Sequence, residues 1–351
     1  MSPQYRPGQK IDHYSIRSIL SQGTASSVYL ALDRNTGQKV VLKFPKDDVI
    51  GGRAIFERFQ REVEIGRVLS HPYIVQHLNQ AEERQEKCSV LEYLQGRTLR
   101  AVMAEQGPPD AHQGHHYMKS PDECIAILEQ VCEALIYAHK HGVIHHDMKP
   151  DNIMLLESGE VKVFDFGIAQ IEGERHWSLP GFSPLIGTPD YMAPERLLGR
   201  RGSVSTDIYA VGVILYELLC GRTPFEEQDG FAFVGEHISH DPPDIVRFNP
   251  TLSPTLATIV MRAIRRDVEK RYERLEDMLY DLRHREDVVP VVYVTAAPKR
   301  GGRYRQVLVL ALIILLILIL LFLFGFLAQS VHHAVRYTTS PHGVFAFLEH
   351  F

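Results

Sequence analysis

Residues 307–328 read VLVLALIILLILILLFLFGFLA, a run of 22 residues with no charge and no hydrogen-bonding side chain. At about 1.5 Å per residue, a helix of this length spans roughly 33 Å, enough to cross a hydrocarbon core. A helix that is apolar all round must be covered all round, and only 23 residues follow it. The run therefore predicts a single transmembrane helix and not a core helix. Lys299, Arg300, Arg303 and Arg305 precede it closely, and Arg336 alone follows it. This bias of basic residues predicts that 1–306 face the cytosol and that 329–351 form a short extracytoplasmic tail. Gly325 stands alone in the run with no GxxxG, so nothing specific supports dimerisation through it. The apolar end, GVFAFLEHF at 343–351, suits the membrane surface or a partner span.

Upstream of the run the chain reads as globular, given 45% hydrophobic and 23% charged residues overall. A net charge of −5 argues against a nucleic-acid grip. Cys88, Cys124, Cys132 and Cys220 form no CxxC pair and sit in apolar contexts, as buried reduced thiols do. The polar start MSPQYRPGQK has no apolar core of a cleaved signal peptide.

Residues 13–33 alternate apolar and polar around a Gly/Ser-rich turn, which predicts a β-hairpin. VVLKF at 40–44 and CSVLEYL at 88–94 read as strands, and 53–70 has helical periodicity. Beyond Leu94 the pattern turns helical. An amphipathic helix is expected over 122–141, and a nearly all-apolar helix over 207–220 belongs at the centre of a lobe. Between them NIML and VKVF flank an ESGE turn at 157–160. The loop at 106–120 carries His112, His115 and His116 and reads as a solvated excursion.

Three motifs carry the chemistry: HHDMKPDN at 145–152, DFG at 165–167 and APE at 193–195. They supply a carboxylate, a lysine, an amide and a second carboxylate, in the order that phosphoryl transfer from ATP requires. On these motifs residues 14–283 resemble a eukaryotic-type (Hanks-type) serine/threonine protein kinase domain. With the apolar run, the chain is similar to a bacterial membrane-anchored member of that family.

The resemblance implies an α+β, bilobal protein kinase fold plus one C-terminal transmembrane helix. An N-terminal extension (1–13) precedes a kinase domain (14–285), whose small β-rich N-lobe ends near 93 and whose large helical C-lobe starts near 94. A basic linker (286–306), the span (307–328) and the tail (329–351) follow. ATP with magnesium, or manganese in its place, is implied. So are protein substrates bearing Ser or Thr, a membrane, and self-association for trans-autophosphorylation.

The implied roles follow residue by residue. Asp147 orients the substrate hydroxyl and Lys149 meets the γ-phosphate. Asn152 and Asp165 hold metal. Lys43 pairs the α- and β-phosphates and Glu62 braces Lys43, with Glu64 as the rival. Leu20, Val28, Val41, Leu91 and Met154 line an adenine pocket, and Glu92 and Leu94 offer hinge bonds. The activation segment contains Phe166, Gly167, Ser178, Ser183, Thr188 and Glu195. Ser178 and Ser183 are candidate phosphorylation sites, and Thr188 bonds toward Asp147 and Lys149. Glu195 is expected to pair with Arg271, and Asp207 to brace the catalytic loop. GTPDYMAPE at 187–195 and Lys149 agree with a serine/threonine preference.

Three departures stand out. The phosphate loop keeps one glycine of its G-x-G-x-x-G pattern, as Ser21-Gln-Gly23-Thr-Ala-Ser26. Gly66, one turn past Glu62, costs about 1 kcal/mol of helix propensity. It stands where a larger apolar residue often joins a stack with His145 and Phe166, which predicts a loosely tied helix. His146 replaces the arginine that couples loop phosphorylation to order, and it lacks a bidentate fork. These departures also fit a pseudokinase acting as a nucleotide-binding membrane scaffold. The intact Lys43, Asp147, Asn152 and Asp165 oppose that alternative.

Overall fold

The structure is a computed structural model, and it describes residues 5–23, 25–46, 52–78, 87–105, 120–167, 169–171, 189–225, 230–291, 312, 315–317 and 319. The chain divides into two compact units, Met1–Thr295 and Ala296–Phe351.

The first unit opens with β1 (Lys10–Ile11), β2 (Tyr14–Gln22), β3 (Ser26–Asp33) and β4 (Lys39–Pro45), then helix α1 (Gly52–Val68), β5 (His77–Leu78) and β6 (Ser89–Glu92). The six strands form one sheet in the order β1-β2-β3-β4-β6-β5. Its two-residue periodicity is plain in β3 and β4, where every second side chain is buried. Tyr29, Ala31, Val40, Leu42 and Phe44 go into a core with Tyr14, Ile16 and Val90. Val41 and Lys43 alternate with them and so face the other side of the sheet. Packing begins before residue 14, because Ile11 pairs with Tyr14 and the ring of Tyr5 lies 4.9 Å from that of Phe44.

Then come β7 (Gly96–Thr98), α2 (Leu99–Glu105), α3 (Pro121–Lys140), β8 (Val143–Ile144), β9 (Ile153–Leu156), β10 (Val161–Val163) and β11 (Gln170–Ile171). The helical lobe is completed by α4 (Pro194–Leu197), α5 (Val204–Cys220), α6 (Gly230–Ser239), α7 (Pro254–Ala263) and α8 (Leu275–Arg283). A capping box between Ser120 and Glu123 starts α3, with Pro121 in the first turn. Gly221 ends α5 in the left-handed conformation at φ 74°. Every residue of α5 from Thr206 to Cys220 is buried, so the near-absence of polar positions in it reflects a helix covered on all faces.

The two lobes are stitched by backbone. Val163 donates to the carbonyl of Tyr73 at 2.8 Å, and Val75 donates to that of Val163 at 2.9 Å. Ile65 of α1 and Leu69, just past its end, share one buried cluster with the helical lobe. Packing continues past residue 285, since the N–H of Val291 donates to Thr258 Oγ1 at 2.9 Å. All four cysteines are buried free thiols.

Among the described residues no helix is long and apolar enough to cross a membrane. The run 307–328 lies largely outside them. Within the second unit Leu312, Leu315, Leu316, Ile317 and Ile319 are helical, and each is about half exposed.

Candidate active site

The site is assembled from one strand, one helix and the two ends of a hairpin. Lys43 sits on β4 with its ammonium 2.7 Å from Glu62 Oε2 and 2.8 Å from Oε1. Asp165 Oδ1 lies 3.3 Å from the same nitrogen. Glu64 is exposed on α1, so the geometry selects Glu62 over its rival. Burial works against the charge on Lys43, but Glu62 and Asp165 outweigh it, so its pKa rises above the usual lysine range. Burial likewise opposes ionisation of Asp165, and Lys43, His145 and Lys149 more than offset it, holding that carboxyl below its usual range. For Glu62 burial prevails and the pKa moves up.

The catalytic loop is held by its own polar groups. Asn152 Nδ2 donates to the Asp147 carbonyl at 2.7 Å, and Lys149 Nζ donates to Asp147 Oδ2 at 3.0 Å. The Asp147 N–H donates to His145 Nδ1 at 3.2 Å. Beneath the loop, the buried Asp207 accepts from the backbone N–H groups of His145 and His146, each at 2.9 Å, and lies 2.8 Å from His139 Nε2. Burial opposes its charge, but the His139 bond and the surrounding histidines bring its pKa down to about 2. His146 and Asp165 have φ of 64° and 67°, a left-handed conformation that non-glycine residues seldom adopt. The bonds to Asp207 and Lys43 hold those two positions.

His146 is accommodated by a missing side chain. A Cβ on Gly202 would lie 2.4 Å from its Cε1 and 3.0 Å from Thr206 Oγ1. The imidazole thus packs against the start of α5. Phe166 is buried, with its ring 4.6 Å from that of His145. A Cβ on Gly167 would meet Asp165 Oδ1 at 3.3 Å.

Of the residues expected to line an adenine pocket, Leu20, Val28, Val41 and Leu91 fall on neighbouring strands of the six-stranded sheet, and Met154 falls on β9 of a separate three-stranded sheet. Val28 pairs with Lys43 and with Ser21, and Val41 pairs with Leu91. Met154 pairs with Thr98 across β7 and β9. Leu20 is exposed at the end of β2. The Glu92 N–H is engaged by the Gln76 carbonyl at 3.0 Å, and its carboxylate takes a bond from Lys162 at 2.6 Å, so its own carbonyl is what it can offer a base. Leu94 follows in the linker to β7. In the phosphate loop Gly23 donates to the Ser26 carbonyl at 3.0 Å, and Lys46 Nζ donates to the Gly23 carbonyl at 2.7 Å.

The expected pair of Glu195 and Arg271 is present. Nη1 and Nη2 meet the two carboxylate oxygens at 2.9 and 2.8 Å. Ser178, Ser183 and Thr188 lie outside the described residues, as do His112, His115, His116 and the basic cluster at 299–305.

The expectation for Gly66 needs correcting. The place of its side chain is not empty: a Cβ there would lie 2.3 Å from Cδ2 of His77. The ring of His77, reaching over from β5, fills the space, so a leucine at 66 would collide. Two further groups escaped the sequence reading. Arg58, one turn before Glu62 on α1, is half-buried within electrostatic reach of Asp147 and Asp165. Its four-residue spacing from Glu62 was the available signal. Arg100 of α2 binds Glu217 at 2.9 Å and also Tyr191, which lies in the segment expected to be the activation segment; no local pattern links these three positions.

The protein kinase domain family profile matches residues 14–280. The probable serine/threonine-protein kinase PknB of Corynebacterium glutamicum is 35% identical over 279 residues, covering 77% of this chain and 42% of that protein. The serine/threonine-protein kinase PrkC of Bacillus subtilis is 31% identical over 277 residues, covering 79% and 41%. The chain thus spans about two fifths of the length of these relatives. Among solved structures, the kinase domain of Mycobacterium tuberculosis PknI superposes with a TM-score of 0.61 at 22% identity, over 80% of this chain and all of that one. That likeness concerns the fold, and it agrees with the bilobal arrangement described above. The chain belongs to the protein kinase family, as a Hanks-type member related to bacterial serine/threonine kinases.

Proposed function

We propose that the chain is a membrane-anchored serine/threonine protein kinase. It transfers the γ-phosphoryl group of ATP to Ser and Thr hydroxyls of proteins, its own included. The kinase domain faces the cytosol and the C-terminal tail lies outside. The reading is carried by one juxtaposition: Lys43 closed onto Glu62 at 2.7 Å with Asp165 at 3.3 Å. The order of work follows from the positions. Lys43, fixed by Glu62, meets the α- and β-phosphates. The Glu92 carbonyl and the Leu94 N–H take the base, with Val28, Val41, Leu91 and Met154 around it. The acceptor hydroxyl donates to Asp147, which receives the proton late, while Lys149 beside it balances charge on the moving phosphoryl group.

The donor set also suits a hard divalent cation. Asn152 spends its Nδ2 on the Asp147 carbonyl, which leaves Oδ1 as its remaining acceptor. The Asp165 side chain is 41% exposed. Magnesium takes few protein oxygens and keeps its waters, so Asn152 and Asp165 would hold it, or manganese in its place. Bound there, the ion neutralises charge on the phosphate oxygens. The apolar run, and the half-exposed helical leucines and isoleucines described within it, support the membrane anchor.

The test is incubation of the full chain, in detergent or vesicles, with radiolabelled ATP, magnesium and a generic basic protein. Label on serine and threonine, with the protein in the membrane fraction and its C-terminus reached by protease only from outside, is expected. Label on tyrosine, no label, or a soluble protein would contradict the reading.

A further inference from the structure

We propose that Arg100 sets the acceptor specificity of phosphoryl transfer. Its guanidinium fills an acidic recess beside the catalytic loop, the place that a basic side chain of an acceptor peptide would otherwise take. The kinase therefore gains nothing from basic residues around the acceptor hydroxyl. Three elements build the recess. Its floor is Glu217 of α5, whose side chain is 9% exposed. One wall is Tyr191, buried in the segment that ends at Glu195. The other is Asp151, which stands on the catalytic loop four positions after Asp147 and next to Asn152. An acceptor that brings its hydroxyl to Asp147 lies along this loop, and in an extended chain successive residues advance only about 3.3 Å. Side chains close to the acceptor residue thus pass the recess.

Arg100 reaches in from α2. Its Nη1 donates to Glu217 Oε1 at 2.9 Å, Nη2 donates to the Tyr191 hydroxyl, and Nε lies 3.5 Å from Asp151 Oδ2. The Tyr191 hydroxyl in turn donates to Glu217 Oε2, so both oxygens of the buried carboxylate are engaged. Two carboxylates and a phenol around one guanidinium are the partners that an arginine or lysine of a peptide needs. Burial opposes the charge on Arg100, but Glu217 and Tyr191 outweigh it and raise its pKa above the usual arginine range. Removing the arginine alone leaves Glu217 buried without its cation, an imbalance that favours any cation able to reach it. The way in is open, because the Arg100 side chain is itself 36% exposed. Asp151, about half exposed, gives a peptide cation little by itself.

The proposal rests on the phosphotransfer reading above, and the experiment separates the two. Peptides carry one threonine, with a single arginine placed in turn at each flanking position and alanine elsewhere. Full-length wild type, Arg100→Ala and the double variant Arg100→Ala with Glu217→Gln, all in detergent, are compared for kcat/KM, and peptide binding is measured alongside by fluorescence anisotropy. Each protein is scored by the ratio between an arginine peptide and its all-alanine counterpart, so a general loss of activity cancels. Wild type should stay within about threefold at every position, as exposed ion pairs give. Arg100→Ala should favour arginine by about tenfold at one position, the lower end of the coupling measured for close charge pairs. The double variant should return to the wild-type ratio, because no buried carboxylate is left to meet the cation. Where Arg100→Ala does not fold, Arg100→Gln, which keeps a donor for Glu217, takes its place. A wild type that already selects arginine to the same extent, a single variant with no gain, or a gain that survives Glu217→Gln would overturn the assignment. Absence of transfer to any peptide by wild type would instead overturn the phosphotransfer reading, while the binding ratios still decide the role of Arg100.

Discussion

Substituting Arg271 by lysine should cost far more than a conservative change. Its guanidinium uses all five of its N–H donors. Two go to the Glu195 carboxylate at 2.9 and 2.8 Å, and three go to the carbonyls of Arg265, Ser205 and Arg266 at 2.7, 3.0 and 3.1 Å. The side chain is 0% exposed and that of Glu195 is 11% exposed, so water cannot replace a lost bond. Lysine keeps the charge but has three donors, so at least two acceptors lose their partner. At about 1–2 kcal/mol for each bond, the loss is roughly 3 kcal/mol. Arg271→Met, which strands the buried carboxylate, should cost about 3–5 kcal/mol. For a domain of this size 1 kcal/mol moves the thermal midpoint by about 2–4 °C, so Arg271→Lys should melt roughly 6–12 °C lower. Thermal unfolding of the full chain in detergent, followed by circular dichroism, measures the shift. A midpoint within about 2 °C of wild type would refute the argument that the five-donor fork secures the segment ending at Glu195.

The His146 ring packs against Gly202 and has no bidentate fork, so dephosphorylated protein should keep most of its activity. Loss of nearly all activity on phosphatase treatment, with recovery on rephosphorylation, would count against this. Replacing Ser21 and Ser26 by glycine should lower the KM for ATP, because the backbone can then approach the phosphates more closely; an unchanged KM would remove the loop as a cause of weak binding. His237 is buried, its Nε2 lies 2.7 Å from the Tyr209 hydroxyl, and burial depresses its pKa to about 3. Between about pH 6.5 and 3 the unfolded chain binds a proton there that the folded chain does not, so stability falls with acidification by up to about 1.4 kcal/mol per pH unit. His237→Phe should flatten that slope in urea titrations at pH 5 and 7, and an unchanged slope would exclude His237 as its source.

Local pattern made most of the scaffold legible. Alternation exposed β3 and β4, and the apolar stretch around Asp207 marked α5 as central. The short catalytic motifs placed Asp147, Lys149 and Asn152 together because they lie on one loop. Lys43 and Asp165 are 122 positions apart, and only the motif order joined them. Gly66 was misjudged because its meaning depends on His77, which a helix pattern does not contain. Arg58 and the cluster of Arg100, Tyr191 and Glu217 were missed for the same reason. Their partners come from distant elements, and neither propensity nor periodicity encodes such a pairing.

An active kinase transfers phosphate and does not merely bind nucleotide. Single-turnover transfer from radiolabelled ATP by wild type and Asp147→Asn, with ATP affinity measured alongside, tests it most directly. Wild type should transfer the label, the variant should do so at a rate lower by about 10²–10⁴-fold, and nucleotide affinity should be nearly unchanged. Equal rates in both proteins, or ATP binding by wild type with no transfer at all, would contradict it.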